Sequence, residues 1–357
     1  MDLATGIGDF SRRDWQRIED GELRFALIGL GWWTVDVAIP AIEESDLCAT
    51  AVLVSSSTEK AERIAAENGV ETGISYEEFH DGEAAEEYDA VYVGTPNALH
   101  LEYVETAAEY GKAVLCEKPL EATVERAEKL VEAAEGEVPL MTAYRMQTEP
   151  AVRRARELIE AGFVGEPVSV RSTNTQPLLE MIPDPDQWRL NPDLAGYGAS
   201  VMDLGIYSIN TARYLLDREP VLARATMRSD DEAFADVPDE VAEFTLTFEG
   251  EVPLEATASQ NAQEGTSLTL IGTEGSIELD PAFHGEATLH VSKGDVRAEI
   301  EDTGIDATGE MREEFDYFAD RVLSGGDIGP DGHEGLADMR AIRAIHNAAD
   351  RDGTVDI

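Results

Sequence analysis

The sequence predicts an α/β fold with two domains, the first built on a parallel sheet and the second on a large, mainly antiparallel open sheet. Between residues 23 and 143, short apolar runs typical of strands alternate with helical runs, an order that gives parallel strands joined by crossover helices. From Val221 to Glu301, polar and apolar residues alternate with a period of two between turns. A chain of 357 residues is long enough to build a core in each domain.

The first apolar run, Phe25 to Ile28, ends in Gly29-Leu30-Gly31 and leads into a helical segment. This order is typical of a Rossmann domain, in which the glycines let the backbone approach a dinucleotide pyrophosphate and the helix N–H groups bind its charge. The third small position of the motif is Thr34, so an ordinary strand-to-helix turn remains the alternative. The expected cofactor contacts at this turn are Gly29, Gly31, Trp32 and Trp33.

Five strands are predicted in the first domain. They are Arg24–Ile28, Thr50–Ser55, Ala90–Gly94, Ala113–Glu117 and Leu140–Ala143. Residues 1–22 precede them as an arm, in which a short helix is predicted near Ser11 to Ile18 and Trp15 is expected to fix the arm to a neighbouring segment. The predicted boundaries are therefore 1–22 for the arm, 23–143 for the cofactor-binding domain and 144–357 for the second domain.

The end of the second strand indicates which dinucleotide binds. An NAD site normally has an acidic residue there that holds the ribose 2′-hydroxyl, whereas this chain has Ser55, followed by Ser56 and Lys60. Two hydroxyls and an ammonium favour the 2′-phosphate of NADP, which an acidic residue would repel. A turn at Ser57 that caps the next helix is an alternative use of this serine run, and both uses are compatible.

Polar residues also follow the next two strands, at the edge of the sheet where a nicotinamide would lie. Thr95, Pro96, Asn97 and His100 come after the third strand. The fourth strand ends in Glu117-Lys118-Pro119, so the Lys118 stem is held by apolar sequence while its ammonium emerges. The alternatives are a structural histidine at a helix start and an ordinary surface lysine.

The second domain begins with helix Glu149 to Ala161 and an alternating strand from Val168. A loop rich in Pro and Asp then carries Trp188 and Arg189, and Tyr197 lies between two glycines. The helical run Ser200 to Leu216 contains Asp203 and Tyr207 four residues apart, and thus on one helix face. Two helical segments, Met311 to Leu323 and Glu334 to Arg351, follow the antiparallel strands.

The chain is strongly acidic, with 74 Asp and Glu against 27 Lys and Arg and a formal net charge of −47. Such a surface repels itself in dilute buffer, and a Debye length of about 3 Å at 1 M salt removes most of that repulsion. We therefore expect a cytosol of very high salt, as in halophilic archaea. Nucleic acid is excluded as a partner because no basic stripe exists to displace counterions.

Several other classes of protein are excluded by what the sequence does not contain. No apolar stretch reaches the roughly 20 residues of a membrane span, and the first 20 residues do not form the apolar core of a signal peptide. We expect a cytoplasmic protein. The two cysteines, Cys48 and Cys116, and the six histidines show no metal-ligand spacing, so neither a disulfide nor a metal is expected.

Five motifs, in this order along the chain, resemble the glucose-fructose oxidoreductase/inositol dehydrogenase (Gfo/Idh/MocA) superfamily of NAD(P)-dependent sugar enzymes. They are Gly29-Leu30-Gly31, Thr95-Pro96-Asn97 with His100, Glu117-Lys118-Pro119, Ala143-Tyr144-Arg145 and Asp203-Leu204-Gly205-Ile206-Tyr207. The resemblance implies a Rossmann domain and a substrate domain whose open sheet forms a homodimer or homotetramer. Ser55 and Lys60 match positions that hold the 2′-phosphate in the glucose-fructose enzyme.

The form Asp-x-Gly-x-Tyr resembles the branch with glucose-fructose oxidoreductase, dihydrodiol dehydrogenases and D-xylose 1-dehydrogenases. It implies an NADP-dependent aldose 1-dehydrogenase that oxidises D-xylose, or another aldose, at C1 to the lactone by hydride transfer. Lys118, Asp203 and Tyr207 are then the catalytic residues. Tyr207 accepts the hydroxyl proton if Lys118 lies beside it, or Lys118 carries the proton and Tyr207 donates a hydrogen bond, and the residues leave both open.

The remaining site residues are expected around this centre. Glu117, Lys118 and Arg145 join the cofactor contacts, and the substrate contacts are Lys118, Arg145, Trp188, Arg189, Tyr197, Asp203 and Tyr207. Two other functions fit the same motifs: an oxidoreductase for a dihydrodiol, a dicarbonyl or an anhydro-sugar, and a non-catalytic NADP sensor or corepressor. Retention of both Lys118 and Tyr207 disfavours the sensor.

Overall fold

The computed structural model describes residues 10–300 and 305–357, and its backbone forms two compact units. The Rossmann unit comprises Trp15–Arg145 and Ala307–Met339. The sheet unit comprises the described residues of the rest of the chain, namely 10–14, 146–300, 305–306 and 340–357. Residues 307–339, which the sequence-based boundaries place in the second domain, thus belong to the unit that carries the first.

The two units contain eleven α-helices and fifteen strands within the described residues. The helices are α1 (Ile39–Glu43), α2 (Thr58–Glu67), α3 (Tyr76–His80), α4 (His100–Glu109), α5 (Val124–Ala134), α6 (Pro150–Glu160), α7 (Leu178–Met181), α8 (Pro192–Ala195), α9 (Ile206–Leu216), α10 (Ala307–Ser324) and α11 (Gly332–Arg351). Strands of the Rossmann unit are β1 (Leu23–Ile28), β2 (Cys48–Ser55), β3 (Thr72–Ser75), β4 (Ala90–Val93), β5 (Ala113–Glu117) and β6 (Leu140–Ala143). Strands of the sheet unit are β7 (Pro167–Pro177), β8 (Pro220–Arg228), β9 (Val241–Phe248), β10 (Val252–Ser259), β11 (Asn261–Gly272), β12 (Gly275–Leu279), β13 (Leu289–Lys293), β14 (Val296–Ile300) and β15 (Val355–Asp356).

The Rossmann unit has a parallel six-stranded sheet in the order β3-β2-β1-β4-β5-β6. The chain leaves β1 toward β2 on one side and returns to β4 on the other, which creates the switch point where ligands bind in such sheets. The five predicted strands are confirmed, with ends shifted by at most two residues. Strand β3 escapes prediction because only Ile74 among its four residues is buried.

Helix α10 completes the core of the Rossmann unit. The Phe25 ring of β1 packs edge-on against Phe315 at a centroid distance of 5.1 Å and lies 6.0 Å from Phe318. All three rings are fully buried. This packing explains why α10 belongs with a sheet formed much earlier in the chain.

The sheet unit has nine strands in the order β14-β13-β12-β11-β7-β10-β9-β8-β15. The pairings are antiparallel, as expected, except that β7 and β10 run parallel at the centre. On one face, helix α9 and the turn before it pack against β7, where the Ser172 and Ser208 hydroxyls lie 2.7 Å apart and Asn174 donates to the Leu204 carbonyl. The opposite face forms an open groove lined by Arg171, Thr173, Arg224, Thr226, Glu243, Thr245, Glu255 and Thr257.

The arm differs from its predicted conformation. Residues 12–15 form a turn instead of a helix from Ser11 to Ile18, because the N–H groups of Arg17 and Ile18 donate to the Asp320 carboxylate at 2.6 and 3.0 Å and are thus not available to helical carbonyls. Trp15 is buried and packs edge-on against Tyr317, as predicted for an anchor. Residues 1–9 of the predicted arm, and the sheet end at Glu301, lie outside the described residues.

None of the described helices is both long enough and apolar enough to cross a bilayer.

The turn after β1 has two glycines in different surroundings. Gly29 has a φ of +93°, and a Cβ there would lie 2.6 Å from the Gly94 carbonyl oxygen. A Cβ on Gly31 would meet no atom within 4 Å. Thr34, at the third small position, is buried and its hydroxyl donates to the Gly29 carbonyl at 2.7 Å, so threonine ties the helix start to the strand. The turn therefore needs glycine at 29 for its own folding and leaves open space at 31.

The two glycines should respond differently to a methyl group. Gly29→Ala should lower the free energy of unfolding by about 2 kcal/mol or more, because alanine is strained at this φ and its Cβ meets backbone that cannot rotate away. Gly31→Ala is the matched control, and its free energy of unfolding should lie within about 0.5 kcal/mol of the parent's. Urea unfolding in concentrated KCl measures both, and equal stability of the two variants would contradict this account of the turn.

Candidate active site

The carboxyl end of β2 offers donors suited to a phosphate. Ser55 is fully buried, and its hydroxyl has no hydrogen-bond partner in the part of the chain that the structure describes. Ser57 caps α2 by accepting the Lys60 N–H at 3.3 Å, which confirms the capping turn, while Ser56 is exposed. Lys60 lies in the first turn of α2 and its ammonium forms no ion pair within residues 10–300 and 305–357. A buried orphan hydroxyl, a cation and a helix start fit a 2′-phosphate.

The loop after β4 combines a second orphan hydroxyl with a structural histidine. Thr95 is buried, and its hydroxyl also has no partner among the described residues. The His100 ring is fully buried, with Nδ1 3.1 Å from the Leu120 carbonyl oxygen and Nε2 3.0 Å from that of Thr95. This ring thus ties the loops after β4 and β5 together, which favours the structural role left open for it. Asn97 is buried in the short helical turn Asn97–Leu99, which follows β4 and precedes His100.

At the end of β5, Glu117 is held from two sides. One carboxylate oxygen accepts the Tyr92 hydroxyl at 2.8 Å, and the other accepts the backbone N–H of Lys118 at 3.0 Å. The Lys118–Pro119 peptide bond is cis. Burial, followed by the charge of Glu117, raises the pKa of Tyr92 well above its ordinary value, so this phenol keeps its proton and remains a donor. Glu117 is therefore fixed where Lys118 leaves the sheet.

A buried glutamate from α10 also faces this place. Glu314 is fully buried, and neither carboxyl oxygen has a hydrogen-bond partner among the described residues. Burial and the negative charge of Glu117 raise its pKa well above 4.5, against the opposing charges of Arg145 and Lys118. Both effects favour the protonated form of Glu314.

Arg145 is oriented by its surroundings within the Rossmann unit. It is buried, forms an ion pair with Glu310 of α10, and its guanidinium carbon lies 5.4 Å from the centre of the Trp33 ring. Trp33 is half-buried, whereas Trp32 is 48% exposed at the open side of the glycine turn. The Arg145 guanidinium is thus a fixed group beside the predicted cofactor turn, and its contact with cofactor or substrate stays a prediction.

In the sheet unit, Asp203 is the centre of a hydrogen-bond cluster. Its Oδ2 accepts from Arg189 Nε and from Gln260 Nε2, both at 2.8 Å. Gln260 is fully buried and is oriented in turn by Gln176, which donates to its Oε1 at 2.8 Å. Asp203 lies in a π-helical turn (Val201–Gly205), and Tyr207 follows in the first turn of α9. Arg189 and Gln260 thus fix the Asp203 carboxylate, which lies one helical turn before the Tyr207 phenol.

The predicted substrate residues of the sheet unit differ in their relation to this cluster. Arg189 stacks over Trp188, with its guanidinium carbon 4.5 Å from the ring centre. The Tyr207 ring lies 5.7 Å from the Phe283 ring and 5.5 Å from the His284 ring. Tyr197 instead packs near His346 at 5.9 Å, so its predicted substrate contact is not part of the Asp203 cluster described here.

Three residues of this site were not found from the sequence. Gln176, Gln260 and His284 carry no motif, and each is separated from Asp203 or Tyr207 by many residues. Gln260 follows directly after β10, so a polar residue at a strand end was the only available signal. Lys118 belongs to the Rossmann unit, and Asp203 and Tyr207 to the sheet unit. That Lys118 meets Asp203 and Tyr207 in one active site therefore stays a prediction.

The chain is similar to known proteins over nearly its full length. It is 52% identical over 361 residues to a D-xylose 1-dehydrogenase [NADP(+)] of Haloarcula marismortui, covering 99% of both chains. It is 32% identical to D-xylose 1-dehydrogenase (NADP(+)) 2 of Haloferax volcanii, covering 94% of this chain and 100% of the relative. The crystal structure of aldose-aldose oxidoreductase from Caulobacter crescentus, complexed with glycerol, is 31% identical and superposes with a TM-score of 0.87, covering 94% of this chain and 100% of that one.

Two family models match the chain. Residues 23–143 match the oxidoreductase family with an NAD-binding Rossmann fold, and residues 152–278 match the GFO/IDH/MocA C-terminal domain. Both matches agree with the motifs and with the two sheets of the structure. The chain therefore belongs to the GFO/IDH/MocA oxidoreductase family.

Proposed function

We propose that this chain is an NADP-dependent aldose 1-dehydrogenase that oxidises D-xylose at C1 to the lactone. The observation that carries this function is the 52% identity, over 99% of both chains, to the D-xylose 1-dehydrogenase [NADP(+)] of Haloarcula marismortui. The donors at the end of β2 support NADP as the dinucleotide. The Asp203 cluster, with a fixed carboxylate and a neighbouring phenol, supports a substrate with several hydroxyl groups.

The residues of the Rossmann unit would hold the cofactor. Gly29 and Gly31 admit the pyrophosphate, and Ser55, Ser56 and Lys60 bind the 2′-phosphate. The remaining contacts come from Trp32, Trp33, Thr95, Pro96, Asn97, Glu117, Lys118 and Arg145, while His100 holds the loop that carries Thr95. NADP, when bound, accepts the hydride that leaves C1 of the sugar. The protein must therefore orient the sugar and remove the proton of the C1 hydroxyl.

Three side chains divide this work. Asp203 accepts a sugar hydroxyl and orients the ring, since its carboxylate is already fixed by Arg189 and Gln260. The Lys118 ammonium would stabilise the phenolate form of Tyr207, which takes the C1 hydroxyl proton and becomes the neutral phenol. Trp188, Arg189, Tyr197 and Arg145 complete the substrate contacts.

Two single substitutions test this division. Lys118→Met and Tyr207→Phe should each lower kcat for D-xylose by about 10²-fold or more, because each removes one partner of the proton transfer. The dissociation constant for NADP should change less than about threefold in Tyr207→Phe. The assay follows the absorbance of reduced nicotinamide with full-length protein in about 2 M KCl, which screens surface repulsion.

The outcomes separate the candidate functions. If Tyr207→Phe keeps a near-parental kcat and Lys118→Met is inactive, Lys118 is the group that accepts the C1 hydroxyl proton. A parent that turns over a dihydrodiol or an anhydro-sugar but no aldose would overturn the substrate. Tight NADP binding with no turnover of any of these would identify the NADP sensor instead.

A second prediction concerns the choice of dinucleotide. Lys60→Met should weaken NADP binding by about tenfold or more, since a charge-assisted bond to phosphate contributes about 1.5–3 kcal/mol, and should change NAD binding little. Lys129→Met, on the exposed side of α5, is the matched control. Dissociation constants by titration calorimetry decide, and equal losses for NADP and NAD would show that Lys60 does not contact the 2′-phosphate.

We also propose that the protein acts in a cytoplasm of high salt as a homo-oligomer joined through the open face of its large sheet. The net charge of −47 supports the high-salt environment. The groove on the open face carries arginines beside glutamates, including an Arg171–Glu255 pair at 3.4 Å, so a second copy could match its charges by symmetry.

This assembly predicts a monomer after a change at the centre of the face. Thr257→Arg on β10 should shift the molar mass measured by light scattering in about 2 M KCl from a dimer or tetramer to a monomer, because it places a large cation in the groove. Glu105→Arg, exposed on α4, is the control and should keep the parental mass. A parent that is already monomeric, or a Thr257→Arg oligomer, would contradict the interface.

A further inference from the structure

A buried carboxylate holds the beginning of the helical segment that carries Asp203 and Tyr207. Asp239 lies in the loop before β9 and is fully buried. Its Oδ1 accepts the N–H of Ala199 at 2.6 Å, and its Oδ2 accepts the N–H of Val201 at 2.8 Å. These N–H groups are among those that a helix start leaves without intrahelical partners. The Asp239 side chain therefore orients the backbone at residues 199–201, where the helical segment begins.

The fit around this carboxylate is close. A Cβ on Gly198 would lie 2.3 Å from Asp239 Oδ1, so the backbone passes directly against the carboxylate. Any side chain at position 198 would therefore displace the Asp239 carboxylate or the backbone that it binds.

A second connection leads from the same loop to Asp203. The Ser200 hydroxyl donates to the Glu240 carbonyl at 3.0 Å and accepts the Gln260 N–H at 2.9 Å. Gln260 in turn donates to the Asp203 carboxylate. The side chain of Asp239 thus fixes the helix start that leads to Asp203, and the Glu240 carbonyl fixes Asp203 through Ser200 and Gln260.

Within the part of the chain that the structure describes, His346 is the basic side chain found in ion-pair range of the Asp239 carboxylate. Burial raises the pKa of Asp239 to about 6, with the N–H groups of residues 199–201 acting in the opposite direction. His346 of α11 lies 4.0 Å away, but burial lowers its pKa to about 4, so it is neutral wherever Asp239 is ionised. The neighbouring Glu240 carboxylate binds the N–H groups of Asp230 and Asp231 instead. Ionisation of Asp239 consequently lowers the free energy of unfolding as the pH rises from 3.8 to about 6.

We propose, building on the proposed function, that Asp239 is a positioning residue: its ionised carboxylate sets the orientation of Asp203 and Tyr207 and thereby the rate of sugar oxidation, without touching sugar or NADP. A shift of about 1 Å at the reacting groups is enough to lower a rate about 10²-fold. An amide at this position can accept one of the two N–H groups but presents its NH₂ to the other.

Asp239→Asn tests this role, with Glu240→Gln as the matched control. Glu240 is the next residue and also binds two backbone N–H groups, but those of residues 230–231. Asp239→Asn should lower kcat for D-xylose about 10- to 100-fold and leave the dissociation constant for NADP within about twofold. Glu240→Gln should keep kcat within about threefold. A folded Asp239→Asn enzyme with parental kcat would overturn the inference.

The pH profile distinguishes positioning from a merely structural role. In the parent and in Glu240→Gln, kcat should fall as the pH decreases through about 6, when Asp239 becomes protonated. Asp239→Asn should lack this decrease. If Asp239→Asn does not fold, Ser200→Ala provides the second test, since it removes the hydroxyl that links Glu240 to Gln260 and should lower kcat with no change in NADP binding. An unchanged kcat in that variant would contradict the network.

A readout without substrate separates this inference from the proposed function. Amide hydrogen exchange at residues 199–203 should be at least about tenfold faster in Asp239→Asn than in the parent, while exchange in β1 stays unchanged. Inactivity of the parent toward aldoses would overturn the sugar substrate alone. Equal exchange in both proteins would overturn the positioning role whatever the substrate is.

Discussion

The approach of β1 to β4 at Gly29 is the constraint on which the Rossmann unit depends. The Gly29 backbone lies so close to the Gly94 carbonyl that a Cβ would be 2.6 Å from it, and the Thr34 hydroxyl ties the following turn to the same glycine. This packing places the ends of β1, β4 and β5 at one edge of the sheet. The donors after β2, the Thr95 hydroxyl and Lys118 all follow parallel strands of this sheet, and they therefore lie at its carboxyl edge.

Much of the fold followed from the sequence because its strands and motifs are local. Five parallel strands, the glycine turn and the cap at Ser57 were predicted from runs of a few residues and are confirmed. The parallel pairing of β7 with β10 was not, since strand direction depends on which distant segments meet. The arm likewise forms a turn where a helix was expected, because Asp320, nearly the whole chain away, binds its N–H groups.

The site was predicted only where residues carry their own motif. Lys118 and Tyr207 stand in recognisable motifs, but Gln260 and Asp239 do not, because their roles come from hydrogen bonds across the sheet unit. Acidic composition added a second difficulty. In a chain with 74 acidic residues most are expected on the surface, yet α10 buries Glu310, Glu314 and Asp320. No count of charges distinguishes a buried carboxyl from a solvated one.

The late return of α10 to the first sheet has a consequence for synthesis. Phe25 emerges from the ribosome near the start of translation, whereas the Phe315 and Phe318 rings that cover it emerge near the end. The nascent N-terminal half therefore presents an uncovered aromatic surface for most of the time that the polypeptide is being made, and such surfaces are where chaperones bind and aggregates begin. A gene fragment that stops before α10 encodes a sheet without its covering layer.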